Sequence, residues 1–175
     1  IRILVPAWEG PFSLPRDIGT NTYRHQRQWA DRFAQHLDLA VEWIPKSNYV
    51  ELIDALASGQ GDVIATNLTQ TLVRKEQIEF SIPIAYTREF IVRAKTASTV
   101  APEMHNTIVV PKGASYVGSL HAFNQTRSNK YGVVEIEQEA DPDWIIDQLV
   151  LGKFGGTVLD HNILDAMRTY RSDFV

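Results

Sequence analysis

Short apolar runs alternate with helix-patterned stretches across the first 65 residues, and that alternation limits the fold more than any other feature. Residues 1–6, 41–44 and 62–65 are brief and apolar, and each reads as a strand. Between the first two, Trp29, Phe33 and Leu37 recur at helical spacing with Ala30 and Ala34 beside them. That stripe is expected to face the core and to carry Trp29 into it. Tyr49, Leu52, Ile53 and Leu56 mark a second amphipathic helix, which Gly59 and Gly61 stop. A β-α-β-α-β order implies a parallel sheet with right-handed crossovers. The intervening stretch 7–22 holds Gly10, Pro11, Pro15 and Gly19 and must be loop. Trp8 and Phe12 within it either cover the core or stack on a ligand.

The pattern then repeats in kind though not in letters. Residues 89–94 form another strand, and 95–102 (KTASTVAP) have the composition of a linker. Strands are expected again at 107–110, 133–136 and 157–159. Helices carry Val117, Leu120 and Phe123, then Ile145 and Leu149, then Ile163, Met167 and Tyr170. Asp141-Pro142 is a helix start, with Asp as N-cap and Pro at the first helical position. A length of 175 residues, 44% of them hydrophobic, accommodates one good core or two small lobes. The expected division is a first lobe over 1–94, a hinge connector over 95–102 and a second lobe over 103–175.

Chemistry gathers at three places. After the strand ending at Ala65 comes a loop rich in donors, Thr66, Asn67, Thr69 and Thr71, with Arg74 close behind. Ligands of open α/β sheets bind beyond the carboxyl ends of strands, and a guanidinium can grip a carboxylate through two parallel hydrogen bonds. Arg74 either does this or makes a surface ion pair. The second place is Gly113-Ala114-Ser115 at a helix start, where free N–H groups favour an anion and Ser115 alternatively caps the helix. The third is Asp160 directly after the last strand, which accepts from an ammonium group or caps the following helix. If the two lobes face each other, these groups suit a zwitterion. Arg74, Thr69 and the Ser115 turn would hold its carboxylate, and Asp160 its amine.

Other classes fit poorly. The formal charge is −4 with no basic block, which argues against nucleic acid as a partner. Cysteine is absent, so thiolate metal sites and a Cys nucleophile are excluded. No two of the histidines His25, His36, His105, His121 and His161 have metal-pair spacing, and no cofactor is implied. There is neither a GxSxG elbow nor a phosphate-binding GxxxxGK[ST] loop. No apolar run approaches the ~18–20 residues that span a bilayer. The chain opens directly in a strand with no leader, and it is expected to be a segment of something longer.

Taken together, the motifs resemble the family 3 extracellular solute-binding proteins. That family's core motif runs from an Asp-led strand through Ser/Thr-x-Thr-Pro-Glu-Arg to Phe-Ser-x-Pro-Tyr. Its counterparts here are Asp62-Val63-Ile64-Ala65, Thr69-Gln70-Thr71-Leu72-Val73-Arg74 and Phe80-Ser81-Ile82-Pro83. Leu72-Val73 replaces Pro-Glu, and Ile84 stands where an aromatic is usual. The resemblance implies an α/β fold of the type 2 periplasmic-binding-protein kind, with two hinged lobes and an extracytoplasmic location. It also implies roles. Arg74 would bind a ligand α-carboxylate, assisted by Asn67 and Thr69. Gly113 and Ser115 would form the second lobe's turn, with one hydroxyl lost at Ala114. Asp160 would bind the α-amino group, and Tyr49 would be the aromatic opening the second helix.

Two departures stand out. The family's Gly-Phe-Asp-x-Asp-Leu is here Arg24-His25-Gln26-Arg27-Gln28-Trp29. Family members also return to the first lobe through a second hinge strand, so a chain stopping at Val175 is expected to lack that return segment. Residues 65–74 and 155–162 resemble most the regulatory domains of membrane-bound lytic transglycosylases. The implied ligand is an amino acid or a muropeptide. The implied partner is a membrane transporter or a C-terminal peptidoglycan-cleaving domain, and no residue of this segment is assigned to catalysis. Some relatives on this scaffold are dehydratases, which leaves an enzyme acting on a prephenate-like acid as the alternative.

Overall fold

The computed structural model describes residues 1–7, 21–95, 100–137 and 141–175, with the backbone alone over 21–27. The chain forms two compact units, Ile1–Tyr86 and Thr87–Val175.

Unit 1 contains β1 (Arg2–Pro6), α1 (Asn21–His36), β2 (Glu42–Lys46), α2 (Tyr49–Ala57), β3 (Val63–Ile64) and α3 (Leu72–Lys75). Its sheet runs β2-β1-β3, all parallel. Side chains alternate across a strand, so β1 serves two cores at once. Ile3 and Val5 pack with Ala30, while Leu4 packs on the other face with Leu52 and Ala55. Asp62 locks the strand order. It accepts from the Arg2 backbone N–H at 2.7 Å, and its other oxygen meets the Arg2 guanidinium at 2.6 Å. These bonds hold its carboxyl down at about 2.

The stripe expected to face this core does not. Trp29 is 63% exposed, and Phe33 and Leu37 are also exposed, whereas Ala30 and Ala34 are buried. The small residues one position further round the helix let α1 lie close against β1, and the large ones are turned outward.

Unit 2 contains β4 (Glu89–Val92), a 3-10 turn (Pro102–Met104), β5 (Thr107–Pro111), α4 (Tyr116–Gln125), β6 (Gly132–Ile136), α5 (Pro142–Val150), β7 (Gly156–Asp160) and α6 (His161–Arg168). The sheet order is β4-β7-β5-β6. β5 is parallel to both its neighbours, and β4 is antiparallel to β7. The core joins Val92, Val109 and Leu159 from the sheet to Ile145, Ile146 and Leu149 of α5 and to Leu164 and Met167 of α6. The chain's last residues return to this sheet. Arg93 and Val175 exchange both backbone hydrogen bonds, and Phe174 is buried.

This division differs from the one expected at 95–102. The hydrogen bonds of β4 go to β7, which puts residues 89–92 in unit 2. Residues 96–99 of the expected connector lie outside the described residues.

Candidate functional site

In unit 1 the candidate groups follow β3. Thr71 caps α3, its hydroxyl accepting from the Arg74 backbone N–H at 3.2 Å. A cap here starts the helix one turn before Arg74 and aims that side chain inward while Leu72 and Val73 stay exposed. Arg74 is 6% exposed. Its Nη1 donates to the Thr69 carbonyl at 2.7 Å, and its guanidinium lies 5.8 Å from the centre of the Tyr49 ring. Tyr49 is the first residue of α2, which Asn48 caps by accepting from the Glu51 N–H. Asn67 stands in the same loop, and its buried Nδ2 has no hydrogen-bond partner among the described residues. Thus Asn67, Thr69, Arg74 and Tyr49 belong to one unit, with Arg74 touching two of the other three. Trp8 lies outside the described residues.

In unit 2 the site is built on the β4–β7 pair and the start of α4. Asp160, the last residue of β7, is 5% exposed, and its Oδ1 is buried without a hydrogen-bond partner among the described residues. It caps no helix through its side chain. Burial chiefly, and then the negative charge of Glu89, push its carboxyl up to about 6; a hydrogen bond from the Tyr116 side chain acts in the opposite direction. Glu89 is Asp160's register partner across the antiparallel strands. Ser115 does not cap α4 through its hydroxyl; its Oγ lies 3.3 Å from Glu89 Oε1 and donates to it. Gly113, at φ +72°, gives its N–H to Glu135 Oε2 at 3.0 Å. His161 turns away from Asp160, placing Nδ1 3.1 Å from Asp165.

Glu89 and Tyr116 had no signal in the sequence. Glu89 merely opens a strand, and its place beside Asp160 comes from strand register, a contact between residues far apart in the chain. Tyr116 sits next to Ser115 in sequence, yet only the helical turn brings its side chain onto Asp160.

Electrostatically the two sets are opposite. Unit 1 offers a buried cation and an unmatched amide donor. Unit 2 offers two carboxylates and an unmatched acceptor. The first set suits an anionic group and the second a cationic one.

Comparison with known proteins bears on the family and the fold. The family model for bacterial extracellular solute-binding proteins, family 3, matches residues 26–168. The membrane-bound lytic murein transglycosylase F of Shewanella pealeana is 29% identical over 147 residues, covering 82% of this chain and 30% of that protein. The chain therefore spans less than a third of the length of this curated relative. Among solved structures, a mutant of ArgBP from T. maritima superposes with a TM-score of 0.77 at 21% identity, over 100% of this chain and 74% of the other. An ancestral arginine-binding protein bound to glutamine gives 0.72 at 19%, over 100% and 76%. At these identities the likeness shows the fold, which is of the type 2 periplasmic-binding-protein kind.

Proposed function

The chain belongs to the family 3 bacterial extracellular solute-binding proteins, and on that footing we propose that it binds a small ligand carrying both a carboxylate and an amine. Arg74, Thr69 and Asn67 take the carboxylate, with Tyr49 packed on the guanidinium. In the second unit Asp160 takes the amine; the turn at Gly113 and Ser115, expected to help hold the carboxylate, instead donates to Glu135 and Glu89. The observation that carries this reading is the buried, unpartnered Oδ1 of Asp160. A carboxylate oxygen withdrawn from water with no donor is costly to keep, and an ammonium group is the donor it is shaped for.

The similarity to lytic murein transglycosylases favours a regulatory segment of such an enzyme. Its ligand is then the peptide part of a muropeptide, its location the periplasm, and bond cleavage is the work of a domain outside these residues. The likeness to a protein solved with glutamine bound favours the second reading, a free amino acid delivered to a membrane transporter.

Calorimetric titration with the common amino acids and with soluble muropeptides separates the two. Arg74→Ala is expected to weaken whichever ligand binds by ~2–4 kcal/mol, because it removes a charge-assisted contact to a desolvated anion. Unchanged affinity in that variant overturns the carboxylate role.

A further inference from the structure

Asp160 is not the only acid at its end of the sheet. Glu89 faces it across the β4–β7 ladder, on the same side of the pair. The two acids are held by different donors, Asp160 by Tyr116 and Glu89 by Ser115, both at the first turn of α4. Neither donor is a cation. Among the described residues, two acids have been brought together where hydroxyls alone answer them, and one oxygen, Asp160 Oδ1, is buried and left open. Of the charged groups nearby, His161 pairs with Asp165. Arg88 precedes Glu89 in the chain, and its carbonyl accepts the His161 backbone N–H at 2.8 Å.

We propose that Glu89 is a second, specificity-determining carboxylate of this site, and that with Asp160 it selects a primary ammonium group able to donate to both acids at once. The inference rests on the reading of Asp160 as the amine-binding residue and extends it. A single carboxylate is satisfied by any cation that approaches it. Two carboxylates across a strand pair are both satisfied by a cation with at least two N–H donors, so a primary ammonium group, with three, is favoured over secondary amides and quaternary ammonium groups, which have one or none. Binding also relieves the repulsion between the acids, so the amine promotes ionisation of Asp160.

The test follows the side-chain carboxyl carbons of Asp160 and Glu89 by NMR in the full chain. Methylammonium replaces tetramethylammonium at constant ionic strength, so charge is held fixed and only N–H donors are added. Methylammonium is expected to shift both resonances and to lower the Asp160 titration midpoint, with tetramethylammonium inert. Glu89→Gln, which keeps an oxygen for Ser115, is expected to weaken methylammonium binding ~10-fold, and the same spectra show whether the variant is folded. Equal responses of Asp160 in wild type and Glu89→Gln would overturn the role of Glu89 while leaving Asp160 as the amine site. No response of Asp160 in either protein would overturn both. A response to tetramethylammonium equal to that of methylammonium would reduce the effect to simple charge and sink the donor requirement.

Discussion

Folding withdraws the Asp160 carboxyl from water and sets it beside Glu89, and its proton is held up to about 6 against an ordinary 3.8. The folded form therefore binds that proton more tightly than the unfolded form. Its contribution to stability is complete below about pH 4 and is lost as the pH rises through 6. A shift of this size corresponds to about 3 kcal/mol, and to about 2 once residual solvation is allowed for. Asp160→Asn is expected to be more stable than the wild type by about 2 kcal/mol at pH 8 and nearly equal to it at pH 4. Urea unfolding at both values measures this, and a difference that does not change with pH refutes it. On the proposed role the same substitution should abolish amine binding, so this position would trade stability for recognition. Asp160 was visible in the sequence because it ends a strand. Its partner Glu89 was not, since no local pattern records which residue a distant strand brings alongside.

Among the elements, the caps were the most legible. Asp141 was read as an N-cap with Pro142 behind it, and its side chain accepts from the Asp143 N–H at 2.8 Å. Such signals are written within three residues and need no knowledge of the rest of the fold. The burial of α1 was misread because two stripes compete on it. Trp29, Phe33 and Leu37 are more hydrophobic than Ala30 and Ala34, but a helix packed closely on a strand selects the smaller set. β3 was expected over four residues and has two; Asp62 instead spends its side chain on Arg2. The end of unit 2 depends on Arg171, which joins Asp143 at 3.1 Å, Asp147 at 2.7 Å and Asp173 at 2.7 Å. Its side chain is largely buried, and so is that of Asp143, which also accepts from the Tyr170 hydroxyl. Arg171→Gln leaves these acids facing one another and is expected to cost about 3 kcal/mol. The loss should appear in hydrogen exchange as faster opening of the Arg93–Val175 backbone pair before the rest of the sheet. A variant that keeps wild-type protection there would show that the cluster is ornamental to stability.

At the scale of the molecule, the two units carry separate cores, one built on β1 and the other on β5 and β7. Leu52 is fully buried in the first, and Leu52→Ala is expected to cost about 3 kcal/mol. Amide exchange in the variant should speed up in β1–β3 and stay slow in β5 and β7; uniform acceleration would contradict two cores. The order of strands and longer helices was legible because hydrophobic period and turn residues are local; the four-residue α3 was not read. The boundary between the units was not. Residues 89–92 follow the first unit in sequence, and only their hydrogen bonds to β7 assign them to the second.

The bond from the Gly113 N–H to Glu135 has a consequence for any anion that would use that turn. The protein already keeps a carboxylate of its own there, tethered and always at hand. An incoming acid meets an occupied seat, so its measured affinity is the difference between two similar bonds. Weakly acidic or loosely fitting visitors would thereby be screened out, with Glu135 as an internal rival to any acid bound there.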